Sequence, residues 1–160
     1  MAMTTVYLET SFISKMFDTS KNEISKSFRK IANLWWEENQ KSYDFYISQY
    51  VIDELSAGIY GHKIKSLKFA KKIKALGFND EIFYLAEKLI ELKAMPRKGL
   101  DSLHLACASY YEIDYLLSFN YKHIVNDNKM DFLRKTVKGL KYELPKIVSP
   151  ERLLKNEKDT

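Results

Sequence analysis

Cysteine occurs once in these 160 residues, and no apolar run approaches the roughly 20 residues that a membrane-spanning helix needs. The lone Cys107 excludes an internal disulfide, and its neighbours Leu105, Ala106 and Ala108 mark it as a buried structural thiol rather than a nucleophile. The opening residues Met1-Ala2-Met3-Thr4-Thr5 lack the basic region and long apolar core of a signal peptide, so the expected location is the cytoplasm, with no membrane partner. Histidine is scarce too. His62 and His123 have no Cys or His at metal-ligand spacing, which argues against zinc. A glycine-rich phosphate loop, an Asp-x-Asp nucleophile and an acidic pair closing the first apolar run are all missing, which sets aside receiver and phosphatase domains.

What is present suits one folded domain. Apolar residues make up 46% and charged residues 29%, enough of the first to build a core and too little of the second for a disordered chain. The expected organisation is a single domain over 1–155 and a frayed tail over 156–160. The net charge of +5 is unevenly spread: six lysines and no acid lie between Lys63 and Lys74. They form either the electrostatic footprint of a polyanion or the wet side of an amphipathic helix on which Ile64, Leu67, Ala70 and Ile73 recur every three residues, and the helix reading is the simpler. Trp35, Trp36 and the tyrosines read as core or interface rather than as base-stacking platforms.

Short apolar runs alternate with helical periods. Val6-Tyr7-Leu8, with no polar residue between them, suits a strand buried on both faces. A helix over about Lys21 to Gln40 follows, opened by a Ser20 to Glu23 capping box, and then a strand over Tyr43–Ile47 that hands over to Ser48 as an N-cap. Glu54 falls in the first turns of the next helix, which stops near Gly58 or Gly61. The lysine-rich helix ends at Gly77 and forms a hairpin with one starting near Asn79 or Asp80. After the break at Pro96-Arg97-Lys98-Gly99 comes a buried helix from Leu100 to Ala108, a strand over Asp114–Ser118, a helix capped by Asp127, a strand over Lys146–Val148 and a turn opened by Pro150. The alternation predicts an α/β fold, a three-layer α/β/α sandwich with a central, mostly parallel sheet.

In such sheets ligands sit at the carboxyl ends of the strands. Glu9 and Asn120 end two of the predicted strands, while Glu54 and Asp101 lie in the first turns of two helices that begin at the same edge. Three carboxylates gathered there repel one another unless a cation joins them, and hard divalent cations such as Mg2+ or Mn2+ prefer such oxygen donors. A site of this kind activates water for attack on a phosphodiester. Glu54 and Asp101 also have a plain explanation as favourable charges at helix starts, which does not serve Glu9. His104, one helical turn after Asp101, either touches substrate, orients the acid or is a hydrogen-bonded structural histidine; Lys122, Arg97 and Lys98 flank the mouth and suit phosphate contacts or ordinary loop charges equally. Asp53 points about 100° around the helix from Glu54 and is left out.

Four ordered blocks, Val6-Tyr7-Leu8-Glu9-Thr10-Ser11, Val51-Ile52-Asp53-Glu54-Leu55, Asp101-Ser102-Leu103-His104-Leu105-Ala106 and Asp114 to Ile124, resemble those of the PIN-domain family, in particular its VapC-like members. The resemblance implies a metal-dependent ribonuclease with a Mg2+ or Mn2+ site, RNA as substrate, frequent homodimers and often a cognate antitoxin protein. It places the family's acids on Glu9, Glu54, Asp101 and Asn120, with Glu9, Glu54 and Asp101 as metal ligands and Thr10 and Ser11, in the hydroxyl positions beside the first, as substrate contacts. Glu9 stands where Asp is usual, and Asn120 lacks the charge of the commoner Asp. The departures leave open an alternative: a catalytically weak or inactive PIN-like module that binds RNA or a protein partner.

Overall fold

Val6, Tyr7 and Leu8 are wholly buried because their strand lies at the centre of the sheet. The computed structural model describes residues 2–95, 101–120 and 127–151, without the side chains of Asp101, Asp127 and Asn128. Five strands, β1 (Thr5–Leu8), β2 (Asp44–Ser48), β3 (Lys74–Leu76), β4 (Tyr115–Leu117) and β5 (Lys146–Val148), pair in the order β3-β2-β1-β4-β5, and every pairing is parallel. Seven helices are described: α1 (Thr10–Phe17), α2 (Glu23–Asn39), α3 (Gln49–Ser56), α4 (Lys63–Ala70), α5 (Asp80–Glu91), α6 (Asp101–Tyr110) and α7 (Asp127–Gly139). None of them is long and apolar enough to cross a membrane.

The sheet separates two helical layers, giving the α/β/α sandwich. On one face Phe45 meets Trp35 and Trp36 of α2, with ring centroids 5.9 and 4.7 Å apart, and Trp35 also meets Phe12 of α1. Side chains alternate along a strand, so Tyr7, next to Val6 in the sequence, points to the opposite face and reaches His104 of α6. Cys107 is buried there, its thiol pushed up to about 12 by desolvation, as a structural cysteine requires. The order in the sheet reverses between β1 and β4: the chain first builds outward through β2 to β3, then returns to the other side of β1. That reversal is a topological switch point, and its crevice opens at the carboxyl ends of β1 and β4, where Glu9 and Ser118 stand.

Three local expectations need correction. The lysine-rich helix ends at Ala70 rather than Gly77, and Lys74–Leu76 adds an edge strand beside β2, so α4 and α5 form no simple hairpin. Helix α2 is capped by Asn22, whose side chain accepts the Ser25 N–H at 2.8 Å; Ser20 instead donates its hydroxyl to Asp18 at 2.7 Å. Glu54 lies in the second turn of α3, two residues from its end, where a helix-start charge effect has no purchase. Ser48 does occupy the N-cap of α3, but its side chain makes no capping bond. The break at 96–99 and the tail at 156–160 fall outside the described residues.

Candidate active site

Glu9 is 1% exposed, and the backbone makes it so. Its N–H extends the β1 to β4 ladder by one bond, donating to Leu117 O at 3.0 Å, before the chain turns into α1. The Leu8 to Leu117 register therefore sets Glu9 beside Ser118. Oε2 of Glu9 accepts from the Ser11 N–H at 3.0 Å, from the Ser118 hydroxyl at 2.8 Å and from the Ser11 hydroxyl. Both hydroxyls are held from behind by backbone donors: Phe119 N–H to Ser11 Oγ and Asn120 N–H to Ser118 Oγ, each 2.9 Å. A carboxylate, which only accepts, is thus fixed through one of its two oxygens. The other, Oε1, is buried and has no hydrogen-bond partner among the described residues. Such an orphaned oxygen is costly and calls for an explanation.

Glu54 enters from α3. Its Oε1 accepts the Thr10 hydroxyl at 2.5 Å and lies 2.6 Å from His104 Nε2. That same nitrogen stands 3.9 Å from the orphaned Oε1 of Glu9, so His104 marks the point where the two glutamates approach one another. On its far side His104 Nδ1 lies 2.6 Å from the Tyr7 hydroxyl, itself 2.7 Å from Ser48 Oγ. Burial holds the Tyr7 phenol well above its ordinary range, and the Ser48 hydrogen bond only partly offsets this. Tyr7, Ser48 and His104 are all fully or almost fully buried.

The structure therefore brings together Glu9, Glu54, Thr10, Ser11 and His104. Asn120 joins them through its backbone N–H. Asp101 opens α6, one turn before His104, but its side chain is outside the described residues, as are Arg97, Lys98, Lys122 and His123 entirely. Thr10 and Ser11, placed in the sequence as substrate contacts, spend their hydroxyls on the two glutamates. Among the described residues no three His, Cys, Asp or Glu side chains form a metal-holding group. Two converging carboxylates, one of them with an orphaned oxygen, nevertheless fit a hard cation.

Ser118, Tyr7 and Ser48 also belong to the site, although the sequence does not mark them as site residues. Tyr7 carries one signal, a hydroxyl inside the apolar run Val6-Tyr7-Leu8. Ser118 and Ser48 offered none, since only register across the sheet and the neighbouring acid give them a role.

Comparison with known proteins agrees with this architecture. No protein-family model matches the chain, and no curated protein does. Among solved structures it is similar to a VapBC2 complex of Rickettsia felis bound to a promoter DNA fragment, at 14% identity and a TM-score of 0.58, covering 91% of this chain and 98% of that one. It is also similar to FitAcB of Neisseria gonorrhoeae (12%, 0.56, 91% and 97%) and to VapBC-1 of nontypeable Haemophilus influenzae (14%, 0.56, 92% and 98%). At these identities the likeness establishes the fold, which is PIN-like.

Proposed function

We propose that this PIN-like chain is a divalent-metal-dependent endoribonuclease, the toxin of a toxin-antitoxin pair. The observation that carries the reading is the buried Glu9 with one oxygen triply bonded and the other orphaned, facing Glu54 at the switch point of the sheet. The likeness to VapBC complexes supports an antitoxin as the partner. A homodimer, as the sequence resemblance implies, belongs to the same proposal.

A bound Mg2+ or Mn2+ would supply charge at the scissile phosphate and a water of lowered pKa. Glu9 and Glu54 would hold it, with Asp101 as the third acid. Thr10 and Ser11 keep each glutamate in one rotamer, so the carboxylates need no reorganisation when the cation arrives. Asn120 stands at the rim with its backbone tied to Ser118, and as a neutral side chain it adds polarity without charge.

The test is cleavage of a generic structured RNA with Mn2+ or Mg2+. Wild-type protein is expected to cut, chelator to abolish cutting, and Asp101→Asn to reduce it by roughly a hundredfold or more, since a metal's stabilisation amounts to several kcal/mol and each 1.4 kcal/mol is tenfold. Activity that ignores both chelator and the variant overturns the reading. Protein that binds RNA without cutting it leaves the inactive-module alternative in its place.

The lysines supply the hold on RNA. Lys65, Lys68, Lys71, Lys72 and Lys74 are exposed, and α4, which carries the first two, packs on α1 and α3, the helices that bear Ser11 and Glu54. Changing Lys65, Lys68 and Lys72 to Gln is expected to weaken RNA binding and to flatten its salt dependence by roughly 0.7 in log–log slope for each lysine touching a phosphate of single-stranded RNA. An unchanged slope in filter-binding titrations would make the lysines a solvated face and nothing more.

A further inference from the structure

The line of polar groups behind Glu54 runs through four elements: Ser48 ends β2, Tyr7 lies in β1, His104 in α6 and Glu54 in α3. Its three contacts measure 2.7, 2.6 and 2.6 Å. Resting on the metal-dependent reading above, we infer that His104, braced by Tyr7 and Ser48, is a positioning residue for Glu54: it occupies Oε1 and so reserves Oε2 as the oxygen Glu54 offers to a cation.

Direction follows from chemistry. A carboxylate only accepts, so His104 Nε2 carries a proton and donates it to Glu54 Oε1. A neutral ring would then accept the Tyr7 O–H at Nδ1, and the Tyr7 oxygen would accept from Ser48. Every donor in the line has an acceptor. The phenol is well suited to its place, because burial keeps its proton on at any ordinary pH. The ring is also clamped by its neighbours, with Tyr7 edge-on at 5.6 Å and Tyr50 tilted at 5.1 Å between centroids.

Packing alone does not account for this arrangement. Phe, Leu and Ala would fill much the same volume at positions 7, 104 and 48 with no polar group to desolvate, and such replacements are often neutral or stabilising. The polar line instead ends on an acid of the candidate site. Among the described residues both bonds to Glu54 fall on Oε1, from Thr10 and from His104. Glu9 shows the mirror arrangement, with Oε2 filled and Oε1 bare. Each glutamate is left to meet a cation through one oxygen, a division that the histidine enforces on the Glu54 side.

Mn2+ alone is the probe, titrated calorimetrically into wild type, His104→Leu, His104→Gln and Tyr7→Phe. Loss of groups that orient a metal ligand typically costs 10–100-fold in metal affinity, and His104→Leu is expected to fall in that range. His104→Gln, which retains an N–H donor near the Nε2 position, recovers part of the loss. Tyr7→Phe, which keeps the ring volume and spares the fold should the leucine variant not fold, weakens Mn2+ by about tenfold. A long-range 1H–15N spectrum of metal-free wild type shows the proton on Nε2 of His104 and a bare Nδ1, and Tyr7→Phe alters the Nδ1 signal. Wild-type affinity in a folded His104→Leu or in Tyr7→Phe overturns the inference alone. Wild-type protein that takes up no Mn2+ overturns the proposed function and this inference with it.

Discussion

Glu9→Gln is expected to cut RNA cleavage by about a hundredfold or more while leaving the metal-free protein about as stable as wild type. The amide oxygen can replace Oε2 as acceptor for Ser11 N–H and the two hydroxyls, so the local hydrogen bonds survive. The change exchanges a buried, half-paired charge for a buried amide NH2 without an acceptor, two costs that largely offset one another. Activity should fall by about a hundredfold or more, on the same metal argument as for Asp101. Melting curves separate the two effects. Wild type at a hundredfold excess of Mn2+ over its dissociation constant should gain about 2.7 kcal/mol, and Glu9→Gln little. A variant that loses stability without metal and still responds to Mn2+ would show that Glu9 is structural.

Trp35→Ala is expected to be the most damaging core change, at about 3–5 kcal/mol, a large fraction of the 5–15 kcal/mol that typically holds a domain together. Trp35 is fully buried and touches Phe12, Tyr43 and Phe45, joining α1, the approach to β2 and the sheet itself. Phe12 follows Ser11 by one residue, so loosening this cluster also loosens the turn that fixes Glu9. Trp35→Phe should cost clearly less, because the indole Nε1 has no hydrogen-bond partner among the described residues and its loss strands nothing. Urea unfolding of both variants checks the order; an alanine variant within 1 kcal/mol of wild type would contradict it.

The same physics explains which parts of the molecule were legible in the sequence. Unbroken apolar runs identify β1 and β4 because strands covered on both faces, or nearly so, carry no alternation to disguise them. Edge strand β3 escaped for the opposite reason. Lys74-Ala75-Leu76 is three residues long, without a β-branched side chain, and it follows a period-three pattern through Ile73 that reads as continuing helix. The Ser20 to Glu23 spacing matches a capping box, but Ser20 bonds Asp18 and the helix begins later, at Glu23, capped by Asn22, a contact that spacing alone does not reveal.

The candidate site divides in a similar way. An acid at the end of an apolar run is conspicuous, and Glu9 and Glu54 do come together. The groups that hold them were not visible. Ser118 acquires its role from parallel register with β1, and Tyr7 from the face of the sheet it happens to share with α6. His104 was open to several readings; at 1% exposure it touches Glu54 and Tyr7, which leaves no surface for a substrate.

Anomalous diffraction from crystals grown with Mn2+ tests most directly whether these acids trap a hard cation. The account predicts one strong peak at the carboxyl ends of β1 and β4, about 2 Å from Glu9 Oε1 and Glu54 Oε2, with Asp101 completing the protein ligands. Crystals in which Mn2+ is absent from that crevice, with Glu9 Oε1 still bare or paired to His104, would contradict it.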